Sequence, residues 1–276
     1  MSGPDASRSK LVSIEEAAAS VPDGAVLGVG GVMDQMVPAR FLLALAGRGA
    51  RDLHAVTVAA SLSVDLLVGA GCATQVSCAI VSFEDLGTSR LFRRRVEAGE
   101  LRFHEYSELT LLNRLSAAMN GLPFLPTRAA LGTDILATEG LMEFECPFTG
   151  APLVACSALA PDVSVIHAHR ADAAGNVQLD GKHIWHDLVI AKAAGRLIVT
   201  VEEVVAEAEI RAAPERTVLP AFAVDAVVEA PRGAWPTTCR PRYEADREAL
   251  RAWVDAGADD AAVAQLLGRW TAEPAR

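Results

Sequence analysis

Long apolar runs are missing from this chain. No stretch reaches the roughly 18 residues that a membrane-crossing helix needs, which argues against a membrane protein. Paired cysteines are missing too. Cys72, Cys78, Cys146, Cys156 and Cys239 include no CxxC and no metal-ligand spacing, and the N-terminus has no leader-like apolar segment. An odd number of thiols in that context is expected to be reduced, in a cytoplasmic protein that holds no metal. Basic excess is absent: 25 Lys and Arg stand against 35 Asp and Glu, a formal net charge of −10. Nucleic acid is therefore excluded as a partner, and an anionic ligand has to be held by local donors. Aromatics are scarce at 5%, so small aliphatics carry the 51% apolar share. Such a core suits parallel strands covered by helices. Neither an internal repeat nor a hydrophilic linker divides the chain. Residues 11–276 are expected to form a single domain behind a loose, polar tail over residues 1–10.

What is present is a regular alternation of strand and helix signals. Residues 25–31 read as a buried strand ending in glycines, with Pro38 at the first position of a helix continuing through Ala46. Residues 54–60, 75–81 and 101–104 read as further strands, separated by helices over 64–69 and 92–98. Ser107 is a plausible N-cap for a helix from Glu108 to Met119, whose apolar face would be Leu109, Leu112, Leu115, Ser116 and Met119. Gly121 ends that helix. The stiff, apolar segment Leu122-Pro123-Phe124-Leu125-Pro126 follows as a strap laid over a surface. Residues 135–160 are weakly periodic. Strands over 163–168, 197–201 and 224–228, a helix over 187–194, and two closing helices near 244–256 and 259–269 complete the pattern. This order predicts an open, mainly parallel, doubly wound α/β sheet with flanking helices.

Several features invite chemistry, and each has a plainer reading. Gly28, Gly30 and Gly31 sit at a strand end, but a third glycine of GxGxxG would fall at Met33, so NAD binding is unsupported. Close approach of the backbone to a ligand and tight packing are equally good accounts of Gly30 and Gly31. His183, His186 and Asp187 lack a third ligand at metal spacing, and Asp187 reads better as a helix N-cap. Arg93, Arg94 and Arg95 point in different directions on a helix and read as a solvated face. Cys72 and Cys78 read as packing, and Asp172 to Gly181 as a turn or hairpin. Glu105, Tyr106 and Glu108 lie where a strand's carboxyl end meets a helix, the edge at which open parallel sheets bind ligands. A carboxylate there can act as base, nucleophile or orienter, or can simply complement the helix dipole.

Taken together, six stretches resemble the α (A) subunit of class I CoA-transferases, the glutaconate CoA-transferase group above all. They are Gly28 to Gly31, HEYSE (104–108), GLPFLPTRAALGTD (121–134), HAHRADAAGNVQLDG (167–181), AKAAGRLIVTVEEVV (191–205) and AVDAVVEAPRGAWPTTC (223–239). The resemblance implies an open α/β fold and a β (B) subunit of similar fold, joined as a heterodimer or (αβ)2, with the acyl-CoA bound between the two. It also implies that the nucleophilic glutamate, which forms a glutamyl-CoA thioester, belongs to the β subunit. Relatives on this scaffold include decarboxylases of glutaconyl-type CoA esters and hydrolases of cyclic acyl-CoA rings. In the hydrolase-like members a glutamate followed by a helix and LPFLP is catalytic, and Glu108 matches it. Ser61 and Ser63 match a pocket-lining region.

The expected catalytic residue is thus Glu108, with Gly30, Gly31, Ser61, Ser63, Glu105 and Tyr106 binding substrate. Transfer of CoA between small, dicarboxylic acids is the first expectation. Decarboxylation or hydrolysis of an acyl-CoA is the second, and a non-catalytic acyl-CoA-binding subunit the third. Transfer needs a carboxylate that attacks a thioester beside oxyanion donors. Decarboxylation needs a desolvated pocket for the leaving carboxylate, and hydrolysis needs a base for water.

Overall fold

The computed structural model describes residues 9–181 and 185–272. The first half of the chain carries α1 (Ile14–Ala19), β1 (Val26–Val29), α2 (Ala39–Arg48), β2 (Leu53–Val56), β3 (Ala59–Ala60) and α3 (Leu62–Gly69). Next come β4 (Ala73–Cys78), β5 (Ile80–Val81), α4 (Arg90–Glu97), β6 (Arg102–Glu105) and α5 (Glu108–Met119). Three strands follow, β7 (Phe124–Thr127), β8 (Leu141–Glu145) and β9 (Pro152–Ser157). The remainder is β10 (Val163–Ala171), β11 (Val177–Gln178), α6 (Trp185–Ala193), β12 (Leu197–Val204), α7 (Glu207–Ala212), β13 (Thr217–Leu219), β14 (Ala226–Glu229), α8 (Arg247–Ala256) and α9 (Asp260–Ala272).

Among the described residues seven strands run parallel in the order β14-β12-β10-β1-β2-β4-β6; β11 turns back to pair antiparallel with the end of β10, and β13 pairs antiparallel with β11. From β1 the chain winds outward through β2, β4 and β6, then returns to β10 and winds the other way. The sheet is therefore doubly wound, with its switch point between β1 and β10. β1 shows why the sheet must be covered on both sides. Leu27 and Val29 pack into the larger core with α2, α3, α8 and α9, whereas a Cβ on Gly28 would run into Ser164 and into Ile190 of α6 on the opposite face. Stacked Trp253 and Trp270, 5.1 Å apart, close the first face, and buried Asp65 accepts hydrogen bonds from Ser89 Oγ and Trp253 Nε1. α5 and α6 cover the second face together. Among the described residues no helix is long and apolar enough to cross a membrane.

Tertiary context redraws several local expectations. The strands expected over 54–60 and 75–81 each divide, because β2 and β4 stay in the main sheet while β3 and β5 step off its carboxyl edge and pair with each other. Pro38 is the N-cap of α2, not its first turn. The proline strap is a strand: β7 pairs antiparallel with β9, and β8 covers the other edge of β9. Pro126 is tolerated because β7 is an edge strand. Within α5 the buried residues are Thr110, Leu111, Leu112, Arg114, Leu115 and Ala117, and the expected core residue Leu109 is half exposed. The helix is turned because it packs on two sides, against α6 and against β7 and β9.

Arg114 explains how that second packing is held. It is buried, and its guanidinium donates to Ser157 O at 3.0 Å, to Glu139 O at 3.1 Å and to the Tyr106 hydroxyl. Gly140 leaves it room, since a Cβ there would collide with the guanidinium. Arg114→Leu would remove the guanidinium bonds to Ser157 O, Glu139 O and the Tyr106 hydroxyl, so we expect a loss of about 2–4 kcal/mol in urea unfolding, with early proteolysis between residues 121 and 160.

Candidate active site

The carboxyl edge of the sheet at its switch point is built from a strained loop. Beyond β1, Gly31 has φ +89°, and Met33 and Met36 hold φ of 52° and 54°, a region side chains rarely adopt. Each such residue costs about 1 kcal/mol or more and persists only where its surroundings fix it. Here Met33 N–H donates to Ala59 O, Ser61 Oγ donates to Met33 O, and Met36 N–H donates to Thr238 O. Gly30 N–H donates to Val165 O at 2.8 Å and Gly31 N–H to Asp187 Oδ1 at 2.7 Å. Both glycine N–H groups are thereby engaged within the chain, and a Cβ on Gly31 would lie 2.8 Å from Val37 Cα, so tight packing accounts for it. Gly30 is also packed: a Cβ there would lie 2.8 Å from Ile166 Cγ2 and 3.1 Å from the Asp187 carboxyl.

Glu108 opens α5 at the same edge. Ser107 caps the helix by accepting from Thr110 N–H at 3.2 Å, which leaves the Glu108 side chain 56% exposed and pointing outward. Its Oε1 lies 2.9 Å from Nε2 of His186, a buried residue in the first turn of α6. The neighbouring Asp187 is the group that holds Gly31. Burial pushes the Asp187 carboxyl up to about 7, against the opposing hydrogen bond from Gly31. The structure therefore brings Glu108, Gly30 and Gly31 together through two consecutive residues of α6.

The other expected site residues divide. Glu105 is exposed beside Glu108, at the end of β6. Tyr106 is buried, and its hydroxyl donates to Glu139 O at 2.7 Å, so its contact is with the β7–β9 sheet. Ser61 and Ser63 are fully buried, and Ser61 acts on the glycine loop through Met33. Asp187 sits inside α6 rather than at its N-cap, correcting the expected cap, and its carboxylate reaches across the fold instead of back along its own helix. His183 lies outside the described residues. The partnership of His186 with Glu108 was not legible in sequence, because a His-Asp pair before an apolar helix has the pattern of an ordinary helix entry. Arg93, Arg94 and Arg95 make surface ion pairs with Glu97, Asp260 and Glu100, as a solvated face would. Cys72 and Cys78 are buried, and burial pushes their thiols up to about 11 and about 12, as expected of packing residues.

A cavity of about 320 Å³ opens beside Asp187, lined among others by Gln35, Met36, His167, His169 and Arg240. That volume lies at the small end for ligand sites and suits a short acyl chain, not a nucleotide. On its wall, His167 comes close enough to Glu202 and Cys239 for the three to hold a metal ion. Their bonding fits a different role. Glu202 accepts from His167 Nε2 at 2.8 Å, Tyr243 OH at 2.6 Å, Arg232 N–H at 2.8 Å and Gly233 N–H at 3.1 Å. Burial alone would raise this carboxyl, but the bonds from His167 and Tyr243 outweigh it and hold it down at about 2. Burial, then the Glu202 charge, pushes the Cys239 thiol up to about 12, which disfavours a thiolate ligand. The cluster is a saturated hydrogen-bond network that fixes the turn after β14.

The model of the coenzyme A transferase family matches residues 11–230. The A chain of 3-oxoadipate CoA-transferase from Pseudomonas knackmussii is 36% identical over 253 residues, covering 88% of this chain and 87% of that protein. A protein of Archaeoglobus fulgidus is 37% identical over 248 residues, and the chain spans 55% of its length. Among solved structures, glutaconate coenzyme A-transferase from Acidaminococcus fermentans superposes with a TM-score of 0.91 at 29% identity, covering 95% of this chain and 89% of that one. The decarboxylase AibA/AibB superposes with a TM-score of 0.86 at 34% identity, covering 96% of this chain and all of the other.

Proposed function

This chain belongs to the coenzyme A transferase family, and from that premise we propose that it is the α (A) subunit of a two-chain, cytoplasmic CoA-transferase acting on a small dicarboxylic acyl-CoA. Residues 11–276 make up the α-chain domain, with acyl-CoA as substrate and a β (B) subunit completing the site in a heterodimer or (αβ)2. The observation that carries this reading is the carboxyl edge at the switch point. The first turn of α6 links its parts: His186 meets the exposed carboxylate of Glu108, and Asp187 both holds Gly31 and lines a cavity sized for a short acyl chain, yet Glu108 stays open to solvent. A half-site of this kind needs a second wall.

In transfer, a carboxylate of the partner attacks the thioester carbonyl and the C–S bond breaks. The departing CoA thiolate then attacks the enzyme-side carbonyl, leaving a glutamyl-CoA thioester and releasing the first acid; the acceptor acid reverses the sequence. The loop of Gly30 and Gly31, held in shape by Asp187, would form part of the wall that the thioester meets, and Glu105 and Glu108 govern protons and orientation at the open edge. The relatives named for 3-oxoadipate and glutaconate support a dicarboxylic acid as substrate.

The test is to purify the two-chain complex and supply acetyl-CoA with glutaconate or 3-oxoadipate. We expect a new thioester to form mole for mole with acetate, and borohydride to inactivate the complex only after it has met acyl-CoA. Accumulation of free CoA or CO₂ without a new thioester would overturn transfer. One observation favours hydrolysis as a second reading: a carboxylate hydrogen-bonded to a buried histidine and open to water is equipped as a base for water.

A further inference from the structure

The first turn of α6 touches both halves of the candidate site. His186, 5% exposed, places Nε2 against Glu108 Oε1, and the next residue, Asp187, 6% exposed, places Oδ1 against Gly31 N–H. Consecutive helical residues diverge by about 100°, so one turn reaches in two directions at once. Without such a partner, Glu108 would be a long, solvated side chain at a helix start. Its carboxylate would sample several rotamers and would have to be ordered for each turnover. α6 itself is anchored: it packs on α5, β1 and β10, and the Ile190 carbonyl accepts from Ser164 Oγ at 3.0 Å.

We propose that His186 is a positioning residue, holding Oε1 of Glu108 and so fixing the direction of the second carboxylate oxygen, from the same turn of α6 whose Asp187 fixes the glycine loop. The inference rests on the reading of Glu108 as the carboxylate that governs protons and orientation at the open edge. An ionised carboxylate only accepts, so Nε2 of His186 carries the donated proton. The imidazole touches no reacting atom. What it sets is direction, and an error of about 1 Å in such a group is worth up to about a hundredfold in rate.

The assay is acyl-CoA turnover by the purified two-chain complex with acetyl-CoA and glutaconate. His186→Gln puts an amide donor near the Nε2 position, whereas His186→Asn is too short to reach and His186→Ala has no donor. We expect His186→Gln to keep kcat within about threefold, and His186→Asn and His186→Ala to lose about ten- to a hundredfold, all with nearly unchanged KM. In a Glu108→Gln background, His186→Ala should cost nothing further. Equal kcat for the Gln and Asn variants would overturn the inference, and that comparison stands even where His186→Ala fails to assemble. So would a loss from His186→Ala that persists undiminished in the Glu108→Gln background, the mark of a purely structural role. An inactive Glu108→Gln beside a fully active His186→Asn would sink the positioning role alone. Full activity of Glu108→Gln would remove the Glu108 reading, and this inference with it.

Discussion

Glu108→Gln lowers turnover of the two-chain complex by about a hundredfold or more while leaving assembly and thermal unfolding unchanged. The size follows from removing a positioned acid–base group, which is worth roughly 10²–10⁴ in rate. The neutrality toward folding follows from the surroundings. Glu108 is more than half exposed at the start of α5, and the helix is capped independently by Ser107. Glu108→Ala should lose turnover alike, with some loss of stability besides, because it removes the hydrogen bond to buried His186 that glutamine can still accept. A residue that served only the helix dipole would show the opposite pattern: a stability change of a few tenths to 1 kcal/mol and normal turnover. Steady-state kinetics with a melting curve on the same preparation separates the two.

Gly31→Ala has the largest expected effect on the fold of the site. The backbone there holds φ +89°, and an added Cβ would lie 2.8 Å from Val37 Cα and 2.9 Å from Gln35 O. Both are backbone atoms, so no side chain can turn aside to relieve the contact. Left-handed strain and overpacking together predict a loss of about 2–5 kcal/mol. The loop would be expected to shift, and with it the Gly31–Asp187 hydrogen bond. Urea unfolding checks the stability. A loss of turnover larger than that of a control at Gly24, also at positive φ but with open space around its Cβ, checks that the effect belongs to the site.

The alternation of strand and helix signals was sufficient for the doubly wound sheet, because parallel strands buried on both faces leave continuous apolar runs that resist other readings. The N-cap at Ser107 and the end of α5 at Gly121 were equally legible, being set by local hydrogen bonding and backbone freedom. Leu109 was misjudged for a definite reason: helical periodicity finds one apolar stripe, whereas α5 is packed on two sides and takes Arg114 inside. The strap 122–127 looked irregular because its prolines forbid a central strand, and only the neighbouring β9 makes it an edge strand.

By itself the sequence determined the α/β class, the parallel order of elements, the strand-end glycines and the placing of Glu108 at a helix start. These depend on periodicity, capping and chain geometry, all of which act within a few residues. Only the tertiary structure decided that His186 meets Glu108, that Asp187 meets Gly31, and that the glycine N–H groups are already engaged. Those contacts join residues far apart in the chain. They exist because the sheet reverses its winding between β1 and β10 and so brings α5, α6 and the glycine loop to one edge.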